Sequence, residues 1–289
     1  MRSFLFVPAD SEKKLAKGFE SGADALILDL EDSVAPDRKP GARQTALAYL
    51  EEHGPRTARP RLVVRVNALD TGLTDADLDV VVAGRPDMVL LPKAEGGAAV
   101  IHLDAKLTAR EAMHGLPDGH IKILALATET ASALFLCGTY RDASPRLCGI
   151  TWGAEDLSAE LGSETNRDAD GRFTSPYMMA RNLSLAAAAA ARVQAIDTVY
   201  ADFRNMKGLR EEALEARRDG FTSKMAIHPA QVAIINEVFT PAPDTIATAQ
   251  AVVAAFAADP TAGVVAIGGV MYDRPHLTRA ERLLARVKE

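Results

Sequence analysis

The chain has 289 residues, of which 48% are hydrophobic and 25% charged, and its formal net charge is -6. This balance is typical of an ordinary globular protein, and it argues against nucleic acid or an anionic membrane surface as a partner. Two cysteines are too few for a disulfide framework, and no apolar stretch approaches the roughly 20 residues that span a bilayer. The sequence therefore predicts a cytoplasmic protein whose partners are small molecules and further copies of itself.

Eight short apolar runs alternate with helix-like segments, which is the pattern of βα units around a parallel sheet. In chain order they are 4–8, 25–31, 62–67, 88–93, 121–129, 147–152, 198–202 and 224–229. Most lack polar alternation, as expected of strands that are buried on both faces. Eight such units predict an α/β fold of the closed (β/α)8 TIM-barrel type.

The chain continues beyond the last predicted barrel unit. We therefore divide it into a catalytic barrel, residues 1–240, and a C-terminal helical extension, residues 241–289. The extension holds a helix-like stretch at 245–257, a glycine-rich apolar stretch at 264–272 and a charged terminal helix at 278–288. An extension of this kind can cap its own barrel or pack on a neighbouring subunit.

Polar residues recur at the C-terminal ends of the predicted strands, where barrel enzymes place their active sites. Glu129 ends the fifth strand and Asp156 follows the sixth. Their carboxylates can converge on one hard cation and leave positions open for water and a chelating substrate; Mg²⁺ is the expected metal, and Mn²⁺ would also fit. The alternative is that each carboxylate caps the following helix or pairs with Arg65 or Lys93.

Arg65 lies inside an otherwise apolar predicted strand, where an unpaired charge is costly to bury. Its partner is either a substrate carboxylate, held by two parallel hydrogen bonds, or a standing carboxylate of the chain. The candidates for the standing pair are Asp29, Glu31 and Asp32. The sequence leaves both readings open.

Other polar residues offer competing roles. A desolvated Lys93 or Lys224 can form a Schiff base with a keto substrate, although the carboxylate pair makes that chemistry unnecessary. His228 is a candidate general base, but a histidine at a strand end is more often structural. Lys13 and Lys17 on the first helix are typical of a solvated face, and their position also allows them to hold the phosphates of a bulky acyl carrier.

Several motifs in one order resemble the CitE-like family, which comprises the citrate lyase β-subunit, malyl-CoA lyase and citramalyl-CoA lyase within the HpcH/HpaI aldolase superfamily. The resemblance runs nearly end to end and rests on residues 2–8, 22–34, 65–67, 92–95, 129–131, 153–157 and 226–231. One loop departs from the pattern, because residues 8–12 read Pro-Ala-Asp-Ser-Glu where the family often has Pro-Gly and an arginine-containing turn that touches coenzyme A.

The resemblance implies a Mg²⁺-dependent enzyme that cleaves a carbon-carbon bond of a β-hydroxyacyl-CoA. The products would be a 2-keto acid and an acyl-CoA such as acetyl-CoA, and the substrate would be of the malyl-CoA or citramalyl-CoA type. By this similarity Glu129 and Asp156 would be the metal ligands, and Arg65 would bind the keto-acid carboxylate. Further substrate contacts are expected at Gly153, Ala154 and Glu155.

The same resemblance implies that Asp273 enters the active site of a neighbouring subunit as acid or base. Such a shared site implies a homo-oligomer, a homotrimer or a hexamer. Lys13 and Lys17 are the candidates to contact coenzyme A, because of their position on the first helix.

Three other functions stay open from the sequence. The same chemistry on a malyl thioester ends in hydrolysis if water reaches the thioester, which would make the chain a thioesterase. The chain can also be the β-subunit of a citrate lyase complex that depends on an acyl-carrier protein. A binding protein that has kept only the fold is the third, and the set Arg65, Glu129, Asp156 and Asp273 argues against it.

Overall fold

The computed structural model describes residues 1–287, so Lys288, which ends the predicted terminal helix, lies outside the described residues. Eight parallel strands close a barrel in which each strand pairs with the next and the last pairs with the first. They are β1 (Ser3–Pro8), β2 (Ala25–Asp29), β3 (Arg61–Arg65), β4 (Met88–Leu91), β5 (Lys122–Leu126), β6 (Leu147–Thr151), β7 (Gln194–Asp197) and β8 (Ser223–Ala226). The predicted TIM barrel is confirmed.

Helices follow the strands around the barrel. They are α1 (Glu12–Phe19), α2 (Lys39–His53), α3 (Thr74–Val81), α4 (Gly96–Met113), α5 (Ala131–Leu136), α6 (Glu155–Leu161), α7 (Ser175–Ala191), α8 (Met206–Asp219) and α9 (Pro229–Phe239). Short 3-10 turns lie at Pro36–Arg38, Leu69–Thr71 and Cys137–Tyr140. Residues 1–287 contain no helix with the length and hydrophobicity that a membrane crossing requires.

The seventh strand is displaced from its predicted position, because residues 198–202 form the loop after β7. Arg192 ends α7 in the left-handed conformation, with φ 60°, and the chain enters the sheet two residues later. Ala195 and Ile196 are buried there, and Ala195 pairs with Ile150 of β6. The short strand was missed because it directly follows an alanine-rich helix, whose high helix propensity masks the boundary.

Side chains of alternate strand residues fill the barrel interior, as the two-residue period of a strand requires. The buried cluster consists of Phe4, Ala25, Ile27, Val63, Met88, Leu90, Leu124, Leu126, Ile196 and Met225. Asp29 and Arg65 each lie two residues beyond an interior position of this cluster, at Ile27 and Val63. They therefore project on the same side of the sheet, at the C-terminal mouth of the barrel. Lys224 and Asp197, next to interior residues, point the other way.

One carboxylate ties together the opposite, N-terminal end of the barrel. Asp87, just before β4, accepts hydrogen bonds from Arg59 Nη1 at 2.5 Å, Arg61 Nη1 at 3.0 Å and the Leu62 backbone N–H at 2.7 Å. Burial alone would raise the pKa of Asp87, but the bonds from Arg59 and Leu62 outweigh it and lower the pKa. The ionised carboxylate is therefore the form that stabilises this end.

We expect Asp87→Asn to lower the free energy of unfolding by about 2 to 4 kcal/mol at pH 7, because it removes one charge from a mostly buried pair. Since the folded pKa lies below the unfolded value of about 3.9, this contribution is complete above that value and is lost as the pH falls through the folded pKa. Urea unfolding at pH 7 and pH 3 measures it. The difference in free energy of unfolding between the wild type and Asp87→Asn should be smaller at pH 3 than at pH 7.

The exposed Asp79, which pairs with Arg110 on the surface, provides the control. Asp79→Asn should change stability little at either pH, since surface ion pairs contribute little. Equal effects of the two substitutions would contradict the role assigned to Asp87.

The chain divides into two compact units, residues 1–237 and a second unit from Val238 onward. The second unit contains α10 (Pro243–Ala258), the antiparallel hairpin β9 (Val264–Ile267) and β10 (Val270–Asp273), and α11 (Arg274–Val287). Its small core is Ala249, Val252, Phe256 and Ala280.

Candidate active site

Charged side chains from five strand ends meet at the C-terminal mouth of the barrel. We call them the mouth cluster: Asp29, Glu31, Arg65, Lys93, Glu129 and Asp156. Lys93 follows β4 by two residues, Glu129 follows β5 by three, and Asp156 lies in the first turn of α6. The parallel barrel brings them together, because all eight strands end on this face.

Glu129 is held in place by its neighbours. Its side chain is buried, and its Oε2 accepts a hydrogen bond of 2.6 Å from the Lys93 backbone N–H. Lys93 adopts φ 49°, a conformation that costs energy in a non-glycine residue and that clusters at functional sites. A Cβ added at Gly153 would lie 3.0 Å from Glu129 Cγ, so only glycine leaves this side chain undisturbed. Strain and close packing are therefore used to orient one carboxylate.

The two carboxylates predicted to bind metal repel each other. Burial raises the pKa of Glu129 well above its usual value, and the charges of Asp156 and Glu31 add to this effect. Asp156 is partly exposed, and its Oδ1 lies 3.6 Å from Lys93 Nζ. A divalent cation would relieve both the burial and the repulsion, so this donor pair fits Mg²⁺, which often uses one or two protein carboxylates with water and substrate. Among residues 1–287, no group of three or more His, Cys, Asp or Glu side chains is arranged to hold a metal ion.

Arg65 already has partners within the chain. Its Nε and Nη2 donate to the two Asp29 oxygens at 2.7 and 2.6 Å, and Nη1 lies 2.7 Å from Glu31 Oε2. Burial lowers the pKa of Arg65, but the carboxylates outweigh it and raise the pKa. The standing pair is thus present. Since a guanidinium has five N–H groups and Asp29 takes two, donors remain for a substrate carboxylate as well.

Neither lysine fits Schiff-base chemistry, which needs a neutral amine. Lys93 Nζ lies 2.7 Å from Glu31 Oε1, and burial is outweighed by this carboxylate, so the pKa of Lys93 is raised. Lys224 is fully buried and donates to Asp197 and Glu212 at 2.6 and 2.9 Å, which also raises its pKa. Both amines are therefore held in the charged form.

Lys39 is a supporting residue that the sequence analysis missed. Its buried Nζ donates to the carbonyl oxygens of Leu30 and Glu31, both at 2.8 Å, and to Asn67 Oδ1 at 2.7 Å. These bonds fix the loop after β2, from which Glu31 reaches Arg65 and Lys93. Its only signal in the sequence was its position in the first turn of α2, and no local pattern distinguishes it from a solvated basic residue.

Of the other predicted residues, only Gly153 packs against the mouth cluster within the part of the chain that the structure describes. Ala154 and Glu155 follow Gly153 at the start of α6, where the first backbone N–H groups have no partner within the helix. Lys13 and Lys17 are exposed on α1. His228 stacks on Phe203 with ring centroids 5.0 Å apart, and its Nδ1 accepts from the Ala230 N–H, so it has a structural role here.

Asp273 is the last residue of β10 in the second unit and immediately precedes α11. Its Oδ1 accepts from the His276 backbone N–H at 3.3 Å, and its own N–H donates to His276 Nδ1 at 3.3 Å. This reciprocal pair is a capping box. The structure therefore gives Asp273 a capping role in addition to any chemistry.

A closed barrel with a strained, charged cluster at its C-terminal mouth defines the class of (β/α)8-barrel enzymes. A family model described as HpcH/HpaI aldolase/citrate lyase matches residues 2–229. The chain belongs to this family, which confirms the resemblance drawn from its motifs, and it is a lyase.

Individual relatives are similar to this chain over nearly its whole length. The citrate lyase subunit beta-like protein of Mycobacterium tuberculosis (strain ATCC 25618 / H37Rv) is 36% identical over 286 residues, 99% of this chain and 95% of that protein. The mitochondrial citramalyl-CoA lyase of Rattus norvegicus is 33% identical over 98% of this chain and 85% of its own length. The crystal structure of CitE from Mycobacterium tuberculosis with magnesium, acetoacetate and coenzyme A has a TM-score of 0.76 at 35% identity, covering 100% of this chain and 98% of that one.

Proposed function

We propose that the chain is a Mg²⁺-dependent CoA-ester lyase that cleaves a β-hydroxyacyl-CoA of the malyl-CoA or citramalyl-CoA type into a 2-keto acid and an acyl-CoA such as acetyl-CoA. The observation that carries this proposal is the buried Glu129 beside Asp156, faced by the cations of Arg65 and Lys93. The relatives support it, since one is named citramalyl-CoA lyase and another was crystallised with magnesium, acetoacetate and coenzyme A.

In this proposal Glu129 and Asp156 hold the metal, which would act as Lewis acid and template for the 2-hydroxy acid portion of the substrate. Arg65 uses its remaining N–H groups to fix the carboxylate. Backbone amides of residues 153–155 hold carboxylate oxygens, and Lys13 and Lys17 contact the phosphates of coenzyme A.

Bond cleavage then requires two proton movements. A base takes the proton of the substrate hydroxyl, and the electron pair of that O–H bond becomes the carbonyl bond of the 2-keto acid. The carbon-carbon bond breaks at the same time, and its electron pair passes to the thioester as an enolate. Asp273 from the extension of a neighbouring subunit gives a proton to the enolate carbon. This arrangement requires an oligomer, and we propose a homotrimer or a hexamer. The cytoplasmic location stays a prediction.

Product analysis tests the function. The purified chain is incubated with Mg²⁺ and with malyl-CoA, citramalyl-CoA or related esters, and the products are identified by mass spectrometry. We expect acetyl-CoA together with glyoxylate or pyruvate. Free malate or citramalate with free CoA would instead identify a thioesterase. Turnover that appears only with an acyl-carrier protein would identify a citrate lyase subunit, and no turnover with either carrier would contradict an enzymatic role on these substrates.

A further inference from the structure

The side chains of Asp273 and His276 touch each other. His276 Nδ1 contacts Asp273 Oδ1 directly, in addition to the two backbone bonds of the capping box. Both side chains are partly exposed, at 36% for His276 and 39% for Asp273. The backbone bonds explain the helix start, but the contact between ring and carboxylate is a separate feature.

We propose that His276 is a positioning residue that orients Asp273 and supplies the proton that Asp273 delivers. This inference rests on the proposed role of Asp273 as the acid of the lyase reaction.

The ring can make either of two contacts, and its protonation state decides which. Without a proton on Nδ1, the ring accepts from the Asp273 N–H and serves only as part of the cap. With a proton on Nδ1, the ring donates to Asp273 Oδ1. Glutamate or glutamine is the usual residue at this capping position. Histidine adds a group that exchanges protons near neutral pH.

Asp273 needs such a partner in order to act as an acid. The hydrogen bond from His276 holds the pKa of Asp273 below its usual value, so the carboxylate is ionised at neutral pH and has no proton of its own to give. In the proposed step the Nδ1–H bond breaks and a carboxyl O–H bond forms. That O–H bond then breaks as the enolate electron pair makes the new C–H bond, and the neutral ring recovers a proton from water.

Other charged and titratable groups face the ring from the neighbouring elements. Tyr272 of β10 packs edge-on against it, with centroids 5.5 Å apart. An open groove of about 500 Å³ is lined by His276 together with Asp244 of α10 and Arg279 of α11. Neither makes the direct contact with the ring that Asp273 makes.

His276→Gln separates the two roles, because glutamine completes a capping box but carries no titrating proton. With malyl-CoA or citramalyl-CoA as substrate, we expect kcat to fall roughly tenfold to hundredfold, while KM and melting temperature stay near wild type. The wild-type kcat should decline as the pH rises and the ring loses its proton. This alkaline limb should be absent in His276→Gln.

Two further variants make every result decisive. His276→Ala should lose the same activity and also melt lower, since it loses the cap. Asp273→Asn keeps a good helix cap and should lose turnover. If Asp273→Asn is active, the proposed acid is wrong, and the inference falls with it. If Asp273→Asn is inactive but His276→Gln keeps the wild-type kcat and alkaline limb, His276 is only a cap and this inference alone is overturned.

Discussion

Replacing Glu129 with glutamine is expected to reduce kcat by at least ~10³-fold, about 4 kcal/mol in transition-state free energy, because it weakens the binding of the metal ion that the reaction needs. Glutamine keeps the volume and an oxygen that can accept the bond from the Lys93 N–H, but it removes the negative charge. Chelation of the wild-type protein should have the same effect, and added Mg²⁺ or Mn²⁺ should restore turnover. Calorimetric titration with Mg²⁺ measures the loss of binding directly.

Glu95→Gln is the matched control, since Glu95 is an exposed carboxylate that accepts from the Thr130 hydroxyl outside the mouth cluster. It should leave Mg²⁺ binding near wild type. Full activity after exhaustive chelation would contradict the metal site. So would trapping of Lys93 or Lys224 by borohydride in the presence of the keto acid, which would indicate Schiff-base chemistry.

The inactive Glu129→Gln variant also tests whether sites are shared between subunits. Mixing it with inactive Asp273→Asn subunits should restore activity in part of the mixed oligomers, because some sites then combine an intact metal pair with an intact Asp273. The absence of recovery in oligomers shown to be mixed would contradict a shared site, as would a fully active monomer.

Arg65→Lys and Arg65→Ala are expected to lower kcat/KM, because they remove charge-assisted hydrogen bonds to the substrate carboxylate. The expected loss of transition-state stabilisation is about 2 to 5 kcal/mol. Lysine cannot reproduce the two parallel bonds of the guanidinium, so it should rescue little. Steady-state kinetics with the CoA ester and calorimetric binding of pyruvate in the presence of Mg²⁺ measure the effect.

Both substitutions also break the buried pair with Asp29, so a lower melting temperature is expected as well. Asp29→Asn separates the two consequences, since it disrupts the same pair but leaves the guanidinium in place. It should lower stability and retain more pyruvate binding than Arg65→Ala. Near-normal kcat/KM in both Arg65 variants, combined with lower stability, would show that Arg65 is structural.

The alternation of apolar runs with helical segments was enough to predict the barrel and seven of its strand positions, because burial on both faces leaves a continuous hydrophobic signal. β7 was misplaced because its four residues follow an alanine-rich helix without a turn signal. A strand this short is defined by its pairing with β6 and β8 rather than by its own composition.

Parallel strands end on one face of a barrel, so the sequence was enough to predict that Arg65, Glu129 and Asp156 lie at its mouth. The outward direction of Lys224, where it pairs with Asp197 and Glu212, was not predicted. The sequence also determined the family, through motifs in a fixed order. The pairing of the charges became clear only in the folded chain, where Arg65 pairs with Asp29, Lys93 pairs with Glu31, and Lys39 donates to the backbone of the loop that holds Glu31. Such pairs join residues far apart in the chain, and their energies depend on distance and burial, which no local pattern of residues encodes.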